Sequence, residues 1–211
     1  MRTLLVAAVW LCGCAGTGTG TVAGSIYLSE CTIGVPLGSL AAPAPYDLAP
    51  TYFVADPVND VPRVDPVNRV SIRIQSAGNQ IEEADGLYIK VADVEQVGNR
   101  IGEQLAVGPA SNVRANLLLR RTCPRSPVQI ELDGTMRFSR FGAQSPGGVP
   151  SDFRIQYGDY ITAVFELNVV DRRVITLGGN GSVDTIPDVA GRLTGDFDFQ
   201  VRQGRGAQAY P

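Results

Sequence analysis

Apolar and polar residues alternate in several separate stretches of the chain. From Arg69 to Gln75, one parity carries aliphatic side chains and the other carries polar or charged ones. Ile161 to Asp171 and Leu193 to Arg202 repeat this period of two. Because successive side chains of a strand point to opposite faces of its sheet, each stretch predicts a β-strand. Shorter runs predict further strands at residues 21–28, 87–91, 113–119, 128–132 and 135–141.

Asp133-Gly134 separates two of these strand-like runs. This pair accepts the positive φ angles of a tight primed turn, so it predicts a hairpin. Residues 32–62 are rich in Pro, Ala and Asp. They predict an irregular excursion with at most a short strand at residues 52–54.

One helix is predicted, over residues 93–103. Asp93 can cap its first turn, Gln96 stands three positions on, and apolar residues recur at helical spacing. Gly98 and Gly102 each weaken it by about 1 kcal/mol relative to alanine, so we expect a short helix that ends early.

The predicted fold class is all-β. Eight to ten strands with one short helix favour a single domain over residues 21–211, built as an antiparallel β-sandwich of jelly-roll or related type. A lipocalin-like barrel is the alternative architecture.

The N-terminus carries a different pattern. After Arg2, residues 4–11 form an unbroken apolar run that ends in Leu11-Cys12-Gly13-Cys14. This run is far shorter than the ~20 residues of a membrane-spanning helix but suits the core of a signal peptide. An ordinary secretory signal cut after Ala15 or Gly16 is the alternative interpretation of these residues.

The tetrapeptide Leu11-Cys12-Gly13-Cys14 resembles the lipobox of bacterial lipoproteins. The resemblance covers about the first sixteen residues and implies that residues 1–13 are a signal peptide and that Cys14 becomes the lipidated first residue. Residues 14–20 would then be a flexible tether to the domain. In that family Ala15, which is not aspartate, implies an outer-membrane location in two-membrane bacteria and a cell-surface location otherwise.

If Cys14 takes lipid and Cys12 leaves with the signal, Cys31 and Cys123 remain. An exported, oxidising compartment favours a disulfide between them, closing a loop of about 93 residues. The alternative is two separately buried thiols.

Charge and composition exclude several functions. The formal net charge is −3, the basic residues are scattered, and the chain contains no histidine. Nucleic-acid binding is therefore not expected, nor is a Ser-His-Asp or Cys-His catalytic site. No metal site and no cofactor are expected, because two cysteines without histidine make a zinc site a poor fit.

Carboxylate pairs survive these exclusions. Asp196 and Asp198 share one strand face, as do Glu131 and Asp133. Two carboxylates across a cleft suffice for glycoside hydrolysis, whereas a solvated strand face explains the same pattern without chemistry.

Two further groups lie in the predicted excursion. Asp56, Asn59, Asp60 and Asp65 could offer oxygen ligands to calcium, although their spacing also fits ordinary turns. Tyr46, Tyr52 and Phe53 could form an exposed platform for sugars or pack onto the domain.

The sequence thus predicts a membrane-anchored lipoprotein of the cell envelope, whose domain has a binding or structural role rather than an enzymatic one. Its partners are the membrane, through the lipid anchor, and an envelope protein or glycan. A carbohydrate-binding module and a carboxylate-dependent glycan hydrolase are the alternatives.

Overall fold

The computed structural model describes residues 18–26, 44–59, 68–76, 84–123, 128–142, 153–169, 175–177, 183–185 and 191–202. This part of the chain forms twelve strands and one short helix, α1 (Val94–Gly98), so the all-β prediction is confirmed. The strands are β1 (Gly18–Ile26), β2 (Ala44–Asp47), β3 (Tyr52–Asn59), β4 (Asn68–Gln75), β5 (Gly86–Val91), β6 (Leu105–Val107), β7 (Val113–Leu119), β8 (Val128–Phe141), β9 (Tyr160–Val169), β10 (Ile175–Leu177), β11 (Val183–Thr185) and β12 (Gly191–Gln200).

Ten strands form one sheet, in the order β2-β1-β12-β9-β8-β6-β7-β5-β4-β3. Neighbouring strands run antiparallel, except that β6 and β7 meet in one parallel pair, Val107 with Val113. Strands β10 and β11 form a separate two-stranded ladder. The first strand of the sheet therefore pairs with the last, because β1 lies beside β12.

The ten-stranded sheet is strongly curled into a half-barrel. Its two outermost strands, β2 and β3, are consecutive in the chain and are joined by residues 48–51 alone. Phe53 on β3 lies against Phe199 on β12, with 6.0 Å between ring centroids, although six strands separate β12 from β3 in the sheet order. The curl thus brings the two ends of the sheet together.

One hydrophobic core fills the inside of this curl. The alternating strands point their apolar side chains into it, among them Ile72, Ile89, Leu117, Leu167 and Phe197, all of which are at most 1 % exposed. The face of the sheet that carries these residues is called the inner face below, and the opposite face the outer face. The predicted division into the two packed sheets of a sandwich is not confirmed.

The predicted hairpin at Asp133-Gly134 was wrong, because β8 runs through both residues. Residues 128–132 pair with β7, whereas residues 134–136 pair with β6, so the strand changes partner there. Gly134 has φ +136°, and a Cβ on it would lie 2.3 Å from the carbonyl oxygen of Glu166 on β9. The glycine serves this close approach and bend within a continuous strand.

The helix prediction was right in its start and too long at its end. The Asp93 carboxylate accepts a hydrogen bond from the Gln96 backbone N–H at 3.0 Å, which caps the first turn. The helix ends at Gly98, and Gly102 follows with φ +84°. Val94 and Val97 pack into the core.

Three predicted boundaries need correction. Strand β1 begins at Gly18, so residues 18–20 belong to the sheet and not to a tether, whereas residues 14–17 lie outside the described residues. Strand β3 extends to Asn59, well beyond the short strand expected at residues 52–54. Strand β2 also lies within the region interpreted as irregular.

The one helix of the described part, α1, spans five residues. Helix α1 is far too short to cross a membrane, and the described residues contain no other candidate helix.

Candidate functional site

Polar side chains are buried on the outer face of β3, β4 and β5. Arg73 is 3 % exposed and Gln75 fully buried, beside Tyr52 and Tyr88. The strand register sets Tyr52 opposite Gln75 and Arg73 opposite Tyr88. We call these four residues the buried polar face. Sequence alternation placed Arg73 and Gln75 on the polar side of β4 correctly but did not indicate their burial.

Arg73 organises the buried polar face. Its guanidinium lies 5.1 Å from the centroid of the Tyr52 ring, within cation–π range. It also donates a hydrogen bond to the Tyr88 phenol. Burial raises the pKa of Tyr88, and the positive charges of Arg73 and Arg120 oppose that rise. The cluster thus holds a buried cation against the Tyr52 ring and the Tyr88 hydroxyl.

Asp85 is a buried carboxylate that accepts several hydrogen bonds. It is 4 % exposed and accepts hydrogen bonds from the backbone N–H groups of Arg121 at 2.8 Å and Thr122 at 3.1 Å. The Thr122 hydroxyl donates to it as well, and the Tyr46 hydroxyl does so at 3.5 Å. Asp85 therefore ties β2, the start of β5 and the segment after β7 to one another.

The Asp85 carboxylate changes the pKa of Tyr46. Burial raises the pKa of the Tyr46 phenol far above its ordinary value of 10.0, and the negative charge of Asp85 raises it further. Asp85 stands directly before Gly86 at the start of β5, and such a pair is typical of a turn. The aspartate followed by glycine was the single local signal, and it gave no hint of the partners that the fold supplies.

Asp196 and Asp198 lie on the outer face of β12, exposed as the alternation predicted. The hydroxyl of Thr21 on β1 donates to Asp196, and that of Thr162 on β9 donates to Asp198 at 2.8 Å. Each carboxylate is bonded to a threonine of the adjacent strand on an open surface. This arrangement favours the solvated strand face over a catalytic pair.

The second carboxylate pair lies on β8. Glu131 and Asp133 are both half-buried, and Asp133 accepts a hydrogen bond from the Asn168 side chain at 3.0 Å. Asp133 is therefore used in cross-strand contacts between β8 and β9.

The aromatic residues considered as a sugar platform are buried. Tyr46, Tyr52 and Phe53 are 9 %, 6 % and 1 % exposed, and Phe53 contributes to the core. The packing interpretation is thus confirmed, and the platform interpretation was wrong.

Two of the four residues considered for calcium lie in the described part of the chain. Asp56 and Asn59 lie on β3, whereas Asp60 and Asp65 fall outside the described residues. Within the described ranges, no group of three or more Asp, Glu or Cys residues is placed to hold a metal ion.

Cys123 is disulfide-bonded and 2 % exposed. It follows directly on the segment that Asp85 holds. Cys12, Cys14 and Cys31 lie outside the described residues, so the pairing of Cys31 with Cys123 stays a prediction.

Within the described ranges, the exposed aromatic side chains lie at one end of the half-barrel. Gly18 at the start of β1 pairs with Phe199, and Gln200 pairs with Tyr160 at the start of β9. The turn at residues 156–159 covers this end, because the Gly158 N–H donates to the Val201 carbonyl at 2.7 Å.

Two tyrosines and three arginines are exposed at this end. Tyr157 is 54 % and Tyr160 43 % exposed, and the Arg140 guanidinium lies 4.7 Å from the centroid of the Tyr160 ring. We call the following residues the end surface: Arg140, Arg154, Tyr157, Tyr160 and Arg202. The sequence pattern did not single them out, because they come together only through the pairing of β8, β9 and β12.

Comparison with known proteins identified no relative. No protein-family model matches the chain, and neither a curated protein nor a solved structure is significantly similar to it.

Proposed function

We propose that this chain is an exported lipoprotein, anchored to a membrane through acyl chains on Cys14. The lipobox-like tetrapeptide Leu11-Cys12-Gly13-Cys14 carries this proposal. Several acyl chains on one cysteine give the stable attachment that a single chain does not reach. The start of β1 at Gly18 fits it, because the folded domain then begins directly after the anchor.

The proposed role of the domain is binding or structural and not enzymatic. The carboxylates considered for glycan hydrolysis, Asp196 and Asp198, are exposed and bonded to threonines of neighbouring strands. Turnover of any substrate in a panel of envelope and plant glycans would contradict this part of the proposal.

The proposed location is the outer membrane, if the cell has two membranes, and the cell surface otherwise. Ala15 supports it, since it occupies the position after the proposed lipidated cysteine and is not aspartate.

The finer architecture is a proposal as well. Of the jelly-roll sandwich and the lipocalin-like barrel, the barrel is the better description of the half-barrel sheet. The short link between the outermost strands β2 and β3 and the contact of Phe53 with Phe199 support it.

Intact mass and membrane partition of the natively expressed protein test the anchor. We expect a chain that begins at Cys14, carries acyl groups and floats with the membrane fraction. The Cys14→Ser variant should lose both the added mass and the flotation. A wild-type product that is soluble and lacks acyl groups would contradict the proposal and indicate a secreted protein.

A further inference from the structure

We propose that the end surface rests on the lipid headgroups of the membrane that holds the anchor. The inference rests on the proposed lipidation of Cys14 and adds an orientation and a second contact to it. Its partner is an anionic lipid surface, contacted by Tyr157, Tyr160 and the three neighbouring arginines.

The chain between the proposed anchor and the fold is short. Three residues separate Cys14 from Gly18, so their Cα atoms lie at most about 15 Å apart. Gly18 is the first residue of β1 and pairs with Phe199, two positions before Val201, which is bonded to the turn at residues 156–159. The end surface is therefore the part of the domain that so short a link holds near the headgroups.

The end surface exposes two aromatic side chains. Among the described residues, the exposed large hydrophobic side chains are Tyr157, Tyr160 and Val164, and the two tyrosines belong to the end surface. Tyrosine has an apolar ring and a polar hydroxyl, which suits it to the boundary between acyl chains and water.

The end surface also carries exposed positive charge. The protein has a formal net charge of −3, yet Arg140, Arg154 and Arg202 are exposed at this end. Among the described residues, the neighbouring acidic groups are Asp159 and Asp198. Asp159 is half-buried and accepts a hydrogen bond from the Gln156 N–H at 2.7 Å, and Asp198 pairs with Thr162 on β9. Anionic headgroups attract such a local excess of arginine.

A tryptophan reporter tests this orientation. Trp10 is the only tryptophan and is removed with the proposed signal peptide, so the processed wild-type protein provides a blank. Tyr157→Trp places a reporter on the end surface. Val164→Trp is the matched control, since Val164 is exposed on β9 about 14 Å farther along the strand than Tyr160. The lipidated full-length variants are reconstituted in vesicles of phosphatidylethanolamine and phosphatidylglycerol, brominated near the headgroup end of the acyl chains.

We expect quenching of the Tyr157→Trp reporter to be several-fold stronger than that of the Val164→Trp reporter. Adding Arg140→Glu and Arg154→Glu should reduce the quenching of the Tyr157→Trp reporter in these vesicles. In vesicles of zwitterionic phosphatidylcholine, the same two substitutions should change that quenching little. Tyr160→Trp offers a second reporter if the turn does not accept tryptophan.

Flotation and intact mass, measured on the same samples, separate the two proposals. An acylated protein that floats but shows equal or absent quenching at both positions would overturn the end-surface contact and leave the anchor standing. Such a result would leave Tyr157 and Tyr160 available to a protein partner. A protein without acyl groups would contradict the anchor itself.

Discussion

Tyr46 is buried beside Asp85, and the protonation state of its phenol matters for stability. The folded protein keeps Tyr46 neutral, because both burial and the nearby carboxylate raise its pKa above the ordinary value of 10.0. Below pH 10 the phenol is neutral in both the folded and the unfolded chain. Above pH 10 the unfolded chain releases this proton and the folded chain retains it, so stability falls with rising pH.

We therefore predict that Tyr46→Phe flattens the alkaline loss of stability. From pH 10 upward, the free energy of unfolding of the wild type should fall by about 1.4 kcal/mol per pH unit more than that of the variant. Urea unfolding at a series of alkaline pH values measures both slopes.

Thr122→Val is the matched control for this experiment. It removes another hydrogen bond to Asp85 but no titrating group, so it should lower stability by about 1 kcal/mol at every pH and leave the slope unchanged. Identical slopes for Tyr46→Phe and the wild type would contradict the assignment of the raised pKa.

At the scale of the element, β8 is the strand on which the middle of the sheet depends. It pairs with β7 over residues 128–132, with β6 over residues 134–136, and with β9 on its other side. Gly134 lies where these pairings change, and the Glu166 carbonyl lies where a side chain would begin.

Gly134→Ala should destabilise the protein by about 2 to 4 kcal/mol, because it combines a positive φ with a clash against the backbone of β9. Gly108→Ala is the comparison, since a Cβ there would meet only ordinary contacts at 3.8 Å or more. Chemical denaturation should show a change within about 0.5 kcal/mol for Gly108→Ala. Equal effects at both glycines would contradict the close approach of β8 and β9.

The alternation of β4, β9 and β12 was sufficient to predict these strands, because each has one face in the core. It could not predict their order in the sheet, since pairing depends on residues far away in the chain. Asp133-Gly134 shows the cost of local reasoning. The pair suits a turn, yet pairing with the neighbouring strands holds it inside the continuous strand β8.

Short strands and buried polar groups escaped prediction for related reasons. β6 has three residues, too few for a period to be visible. Arg73 and Gln75 look like a solvated face, and Asp85 looks like a turn residue, until tertiary contacts bury them. The end surface likewise exists only after β8, β9 and β12 have paired.

At the scale of the whole molecule, the bond at Cys123 adds a covalent constraint to the half-barrel. We predict that its partner is Cys31. Peptide mapping without reduction should recover the two cysteines in one linked fragment. Linkage of Cys123 to Cys14 would contradict both this pairing and lipidation.

Reducing a Cys31–Cys123 bond should lower the free energy of unfolding by about 4 to 5 kcal/mol, because it frees a loop of about 93 residues in the unfolded chain. Urea unfolding with and without reductant measures this difference, and a Cys31→Ser/Cys123→Ser double variant should match the reduced protein. No change on reduction would contradict a stabilising role for the bond.

The pairing of β1 with β12 also determines when the protein can fold. Thr21 and Asp196, which meet across these strands, lie 175 positions apart in the chain. Such distant contacts form late, since the long loop between them must close first. Until residues 191–200 emerge from the ribosome, β1 has no β12 to pair with. The β1–β12 pairing therefore stays open during synthesis until residues 191–200 are made, which would suit the export in an unfolded state that the proposed signal peptide implies.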